Sequence, residues 1–236
     1  MKPRKHGAAG ITTVELMITL VIMAALAAIS APVILKQRKA ADRTQAIGHL
    51  KQIGAMLLEF DAEYGRFPDD ETAREVKRAT KTSFTLTGQF SNDYFRQMLV
   101  GPGGRSETLF WCKTAQSPER PDNNFATPEK ALEAGEVGYS YIMASATQGQ
   151  SASGEPSLPV VISPSFRFRA DWTFDPEPFE GKAVVLRLDN SATALPIHTG
   201  EDEETVSSQE EQGEAAEETQ WSKGMTPVLR APLPKR

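Results

Sequence analysis

The sequence is poor in the residues that build compact chemical sites. It has 1 cysteine and 3 histidines in 236 residues. Cys112 alone cannot form an intrachain disulfide, so the fold does not depend on one. Its neighbours Phe110 and Trp111 are aromatic, which suits a thiol acting as a small buried hydrophobe rather than a nucleophile. His6, His49 and His198 are scattered, and no two share one element at metal-ligand spacing. There is no G-x-S-x-G elbow, phosphate-binding loop or dinucleotide fingerprint. These absences argue against an enzyme. Positive charge is also in deficit, with 26 Lys and Arg against 31 Asp and Glu and a net charge of −5. That balance disfavours nonspecific binding to nucleic-acid phosphates, so no nucleic-acid partner is expected.

Two local absences are sharper. Leu16 to Leu35 contains no charged residue. At about 1.5 Å per residue, a helix of that length covers the ~30 Å hydrocarbon core of a bilayer. Glu15 stands at its N-terminal edge. An acid in a membrane helix costs from about 2.5 kcal/mol at the centre and less near the interface, and a plain anchor has no use for one. Cations flank both ends, Lys2, Arg4 and Lys5 on one side and Lys36, Arg38, Lys39 and Arg43 on the other, so charge does not settle the orientation. The second absence is of Lys and Arg between Glu201 and Glu218, where 9 carboxylates fall. Low hydrophobicity and like-charge repulsion predict an acidic, disordered tail over residues 200–236. Its last 14 residues regain apolar character and four cations, a composition that allows docking without saying where.

Residues 36–64 continue the first helix in amphipathic form. Ala46, Leu50, Ile53, Leu57, Phe60 and Tyr64 are spaced 4, 3, 4, 3 and 4 apart, which keeps one face apolar. Gly48 and Gly54 each weaken a helix by about 1 kcal/mol relative to alanine, so packing must hold the seam. Pro32 is expected to bend or loosen the helix. Gly65 and Pro68 end it.

Beyond lies a head spanning residues 65–199. Residues 69–80 suit a short helix and Ser83–Thr87 a short strand. Ser91 suits the cap of a helix through Leu99, closed by Gly101-Pro102. Thr108–Cys112 reads as a buried strand and Thr127-Pro128-Glu129 as the start of another short helix, ended by Gly135. Val137–Met143 has strand composition, with Tyr139, Tyr141 and Met143 on one face. Residues 147–157 read as a loop, and Pro159–Ser163 as a short apolar strand. Lys182–Leu188 and Ala192–Ile197 flank Asp189-Asn190-Ser191 as a hairpin. The fold class expected is α+β, a long helix packed on a small antiparallel sheet. Trp111, Trp172 and Trp221 are read as packing residues. The acidic run lacks the spacing of an EF-hand, and no metal site is assigned. Calcium, which needs several oxygen ligands, has Asp189, Asn190 and the acidic run as weak candidates.

The N-terminal stretch Ala8-Ala9-Gly10-Ile11-Thr12-Thr13-Val14-Glu15-Leu16, with its basic head and apolar run, resembles the signal of type IV pilin-like prepilins. The resemblance implies a leader of residues 1–10, cut by a prepilin peptidase between Gly10 and Ile11, with N-methylation of Ile11. It places Glu15 at the family's glutamate position, used in assembly, and Pro32 at its usual proline. Ile11 stands where phenylalanine or methionine is commoner. Phe60-Asp61-Ala62-Glu63-Tyr64-Gly65-Arg66-Phe67-Pro68 is similar to the close of the first helix in type II secretion pseudopilins. The expected protein is then a filament subunit with residues 11–35 as membrane and filament-core helix. Its expected partners are copies of itself, other pilins, the peptidase and an inner-membrane assembly platform. The N-terminus would be cytoplasmic and the head periplasmic, before export into a filament. Removing Lys2, Arg4 and Lys5 would take the charge from −5 to −8. The alternatives are a type IV pilus subunit for adhesion, motility or DNA uptake, and a non-polymerising anchored binding protein. A secretory signal cut near Ala25 to Ala31 is a further reading, but it leaves Glu15 unexplained.

Overall fold

The structure is a computed structural model that describes residues 12–102, 106–164, 174–199, 204–206 and 227–235. Two compact units divide the chain, residues 1–39 and 40–236. Helix α1, Thr13–Tyr64, contributes to both. In the first unit every described residue up to Arg38 is exposed. The helix is continuous through Pro32, although proline removes the N–H that the Ala28 carbonyl would otherwise receive.

The second unit is α+β. The expected seam is buried at Ala46, Leu50, Ile53, Leu57 and Phe60, and Tyr64 closes it with its ring 4.6 Å from that of Phe60. The sheet has six strands, β1 (Ser140–Met143), β2 (Pro159–Ser163), β3 (Lys182–Arg187), β4 (Ala192–Thr199), β5 (Glu204–Val206) and β6 (Val228–Arg230). Their spatial order is β5-β4-β3-β2-β1-β6, and all pairs are antiparallel. One face shares a core with α1 through Tyr139, Tyr141, Met143, Val184 and Leu186. Ile142, Ile162, Ala183, Val185 and Leu229 form a second cluster with Phe174. That division follows the two-residue period of a strand. An arrangement of this kind, a long helix on a small antiparallel sheet, is compatible with a pilin-like fold.

Gly54 shows how closely helix and sheet approach. A Cβ there would lie 1.9 Å from Asn190 Oδ1 and 3.0 Å from Leu186 Cδ1. Asn190 sits in the β3–β4 turn at φ 62°, where its amide donates to the Arg187 carbonyl at 3.0 Å. The expected hairpin is therefore present, and its turn rests on a helical glycine. Gly48 has nothing within 4 Å of its Cβ position.

Helix α2 is Asp70–Thr80, close to the expected span. Asp69 caps it, accepting from the Glu71 and Thr72 amides at 2.8 Å each. Thr72 completes the reciprocal bond by accepting from the Asp69 amide at 2.8 Å. Helix α3 is Ser91–Val100, and here the expected cap is corrected. Phe90 is the capping position, while the Ser91 hydroxyl donates to the Tyr139 carbonyl at 2.8 Å and so ties the helix to the segment entering β1.

Three further expectations in this insertion are corrected. Residues 83–87 form no strand. Phe84 and Leu86 are buried as alternation demands, but the Leu86 carbonyl takes its hydrogen from Gln97 Nε2 at 2.8 Å instead of a neighbouring strand. Thr108–Cys112 is not a strand either, because Glu107–Phe110 forms a 3₁₀ turn. Asn123 Oδ1 accepts the Glu107 amide at 2.9 Å and holds that turn. Residues 127–135 make turns rather than a helix. Leu132 has φ 47°, which interrupts helical winding, and its amide is captured by Glu107 Oε1 at 2.6 Å.

The expectation of a disordered tail over residues 200–236 is corrected where the chain is described. Residues 204–206 extend the sheet beside β4, and β6 pairs with β1 at the opposite edge. After β6, the Ser91 amide donates to the Ala231 carbonyl at 2.9 Å and the Gly135 amide to the Leu233 carbonyl at 3.0 Å. The Leu233 amide donates to Asn92 Oδ1 at 2.8 Å, and Lys235 pairs with Glu119. The rest of the acidic run lies outside the described residues.

Candidate assembly helix

The N-terminal turn of α1 is built by Thr12 and Glu15. Thr12 Oγ1 accepts from the Glu15 amide at 3.2 Å, and Glu15 Oε2 accepts from the Thr12 amide at 3.2 Å. The Thr12 hydroxyl also donates to Glu15 Oε2 at 3.1 Å. These reciprocal bonds are a capping box, which satisfies amides that a helix start leaves free. The carboxylate also lies where the helix dipole favours negative charge. Glu15 thus has a local structural task besides any role in assembly. The signal for it was present in the sequence as Thr12-Thr13-Val14-Glu15 before an apolar run, and the reading of Glu15 as an assembly residue passed over it. Thr19 donates its hydroxyl to the Glu15 carbonyl, and Ser30 donates to the Leu26 carbonyl at 2.8 Å. Both hydroxyls are thereby satisfied within the helix. The whole helix contains one stretch long and apolar enough to cross a membrane, and none of that window is buried.

Gly10 and Ile11, the expected cleavage and methylation positions, lie outside the described residues. Glu15 and Pro32 are both on α1, 17 positions apart, which is about 26 Å along the axis at about 1.5 Å per residue.

Within the head, polar contacts fix the other half of α1. Tyr139 donates its hydroxyl to the Ala46 carbonyl at 3.1 Å, and His49 Nδ1 lies 2.8 Å from the Trp111 carbonyl. Arg43 donates to the Phe179 carbonyl at 3.1 Å and pairs with Glu180 at 3.3 Å. Trp111 donates Nε1 to the Ser117 carbonyl at 3.1 Å and carries the Arg120 guanidinium 5.1 Å from its ring centre. It is half-buried; Trp172 and Trp221 lie outside the described residues.

Other buried polar groups of the head are bonded to its backbone. Burial pushes the Cys112 thiol up to about 12, so a thiolate nucleophile is disfavoured. Arg96 donates Nε to the Ala131 carbonyl at 2.8 Å and Nη2 to the Leu132 carbonyl at 3.1 Å, and pairs with Asp93 at 2.9 Å. Burial raises the pKa values of Asp93, Glu107 and Glu136 and lowers that of Arg96. Among the calcium candidates, Asp189 Oδ1 accepts the Ser191 amide at 2.8 Å and Asn190 is wedged against Gly54. No group of three His, Cys, Asp or Glu side chains suited to a metal is found among the described residues. His6 and the side chain of His198 lie outside them.

No family model, curated protein or solved structure matches the chain.

Proposed function

We propose that this chain is a prepilin, a pseudopilin subunit of the filament used in type II protein secretion. The observation that supports it best is the contrast within α1. One half is apolar and exposed on every side, while the other lays a single buried seam on an antiparallel sheet. The apolar half would hold the subunit in the inner membrane and then leave lipid to pack against copies of itself, so its apolar surface stays out of water throughout.

Glu15 would pair with the methylated amine of Ile11 on a neighbouring subunit. Either charge is costly alone in a low-dielectric filament core, and pairing offsets much of that cost. The capping box separates this role from helix formation. Glu15→Gln keeps an oxygen for the Thr12 amide and removes the charge; Glu15→Ala removes both. Loss of a cap costs about 1 kcal/mol, whereas an unpaired buried ion costs about 3–5 kcal/mol. Glu15→Gln should therefore assemble nearly as poorly as Glu15→Ala while keeping wild-type helicity in detergent. Filament yield at the wild-type level from Glu15→Gln would reject the charge pair.

The deciding experiment is the intact mass of the N-terminus after co-expression with a prepilin peptidase. A chain starting at methylated Ile11 is the expected result. A chain starting at Met1 would make the helix a permanent anchor, and a start near Ser30 would make it a secretory signal. Neighbouring genes for a secretion ATPase and secretin, as opposed to a retraction ATPase, would separate the secretion filament from a pilus.

A further inference from the structure

We propose that the basic face of α2, carrying Arg74, Lys77, Arg78 and Lys81, docks on the acidic β4–β5 connection, Glu201 to Glu204, of a second copy of the chain. The proposal deepens the filament reading and rests on it.

Helical period sets the basic face. At about 100° per residue, Arg74, Lys77 and Arg78 project near 0°, 300° and 40°, within an arc of about 100°. Lys81 follows one turn after Lys77, to whose carbonyl its amide donates at 2.9 Å. All four are exposed, while Thr72, Ala73 and Val76 are buried on the opposite face. Cations in the last turn suit the helix dipole, but that accounts neither for Arg74 nor for the lack of carboxylate partners. The acids of α2 are turned elsewhere. Asp70 Oδ1 accepts from the Tyr94 hydroxyl at 3.1 Å, and Glu71 pairs with Arg66 at 3.2 Å. Glu75 lies toward Tyr64, whose pKa is raised by burial, Glu63 and Glu75. Among the described residues, none of the four cations takes part in an ion pair.

Strand pairing sets the place of the acids. Glu201, Asp202, Glu203 and Glu204 are consecutive, and no Lys or Arg occurs between Arg187 and Lys223. Thr199 of β4 is the register partner of Glu204 of β5, so the connection between them stays at that edge of the sheet.

Position selects a second copy over the chain itself. Strands β5 and β6 are opposite edges, about 24 Å apart at about 4.8 Å per step. Helix α2 stands on the β6 side, since Tyr94 both donates to Asp70 and carries the Arg230 guanidinium 5.7 Å from its ring centre. The two groups also differ in level along α1. Arg43 donates to the Phe179 carbonyl at 3.1 Å, and two residues on, the Gly181 carbonyl accepts from the Ile197 amide at 2.9 Å. The β4–β5 connection therefore belongs to the Arg43 end. Helix α2 starts at the Tyr64 end, where Asp69 caps it. Arg43 and Tyr64 are 21 positions apart on α1, about 32 Å at about 1.5 Å per residue. One head cannot join its own two groups. A copy displaced along the helix axis brings the acids of one head onto α2 of the next, and such a head-to-tail contact repeats without closing.

The test uses filaments of the full chain, produced with a prepilin peptidase and an assembly platform and sheared from cells. A carbodiimide joins a lysine amine to a neighbouring carboxylate without a spacer, and mass spectrometry of the peptides reads the joined pairs. We expect Lys77 or Lys81 joined to the segment Glu201 to Glu204, with loss of this product at about 1 M salt, where the screening length is about 3 Å. The variant Arg74→Glu, Lys77→Glu, Arg78→Glu, Lys81→Glu should lose it, and so should Glu201→Lys, Asp202→Lys, Glu203→Lys. Filaments that mix the two variants should regain linkage between copies. Lys51→Gln, which removes an exposed lysine of α1, should keep the product. Filaments whose Lys77 and Lys81 join nothing or only other carboxylates, a product that survives charge reversal, or no recovery in the mixture would each overturn the contact while leaving the filament reading intact. Absence of filaments from the wild-type chain, with its N-terminus still at Met1, would reject the filament reading and the contact with it.

Discussion

Leu26 and Leu57 belong to one helix, yet Leu26 is 60% exposed and Leu57 is 1% exposed. The same side chain does different work in the two places. At Leu57 the partner is already in the chain, because the seam meets Tyr139, Tyr141 and Leu186 in one core. At Leu26 none of the described residues covers the side chain, and about 1.5–3 kcal/mol of burial energy per large side chain stays unrealised while it is exposed. The two halves can be told apart by pattern. The apolar residues of the first half surround the axis, which suits a solvent that is apolar on all sides. Those of the second half keep to one stripe, which suits a single sheet.

The most severe way to challenge this contrast is to truncate one large side chain in each half. Phe60→Ala should cost the head about 3–5 kcal/mol, seen as a lower urea midpoint by circular dichroism. Leu26→Ala should change head stability by less than about 0.5 kcal/mol. Equal effects would mean that the halves are not energetically distinct.

A finer test compares the two glycines of the second half. Gly54→Ala should destabilise by about 1–3 kcal/mol through overpacking against Asn190 and Leu186. Adding Asn190→Gly, which suits the positive φ of that turn, should recover part of the loss. Gly48→Ala should stabilise by up to about 1 kcal/mol, since its site is open. Similar effects at both positions would show that helix propensity, and not the contact with the turn, governs this half.

The smallest effect expected concerns pH, and it belongs to the head alone. Burial raises the pKa of Glu107 above the ordinary value of 4.5, so the folded state holds this proton more firmly than the unfolded chain. Between the ordinary and the raised pKa the folded state binds more protons, and this group's contribution to stability falls as pH rises. Below the ordinary value both states are protonated and the penalty vanishes. Glu107→Gln keeps an oxygen for the Leu132 amide and removes the charge. It should be as stable as the wild type or better at neutral pH, by less than about 1 kcal/mol, with a flatter pH dependence and convergence in acid. Denaturant midpoints measured across pH would show this, and an unchanged slope would clear Glu107 of any such role.

Much of the architecture was legible because it depends on period. The 4-3-4-3-4 seam names the buried face of α1, and two-residue alternation places Tyr139, Tyr141 and Met143 on the core side. The insertion was harder to read for a definite reason. Leu86, Glu107 and Leu132 have backbone groups satisfied by Gln97, Asn123 and Glu107 side chains. Those partners lie 11 to 25 residues away, beyond the reach of any local pattern. Apolar residues there are buried without a ladder, so alternation in the sequence was mistaken for strand pairing. Strand β5 lies inside, and β6 follows, a run whose charge and polarity predicted no structure at all. Of the residues proposed for assembly, Glu15 was legible as an anomaly beside an apolar stretch. Its bonds to Thr12 were equally legible but were not read.

Strand β6 follows every other strand in chain order yet lies beside β1, and the hydrogen bonds that fasten it and the segment after it span 84 and 141 residues. Closure of that edge must therefore wait until nearly all of the head has been made. Contacts between such distant residues also slow folding, because a long loop must close before any contact offsets its cost. Until then β1 presents an unpaired row of backbone donors and acceptors, with Ile142 uncovered on the face that Leu229 later shares. A nascent head stalled upstream of Val228 would carry an open strand edge, the surface through which unfinished chains pair with one another.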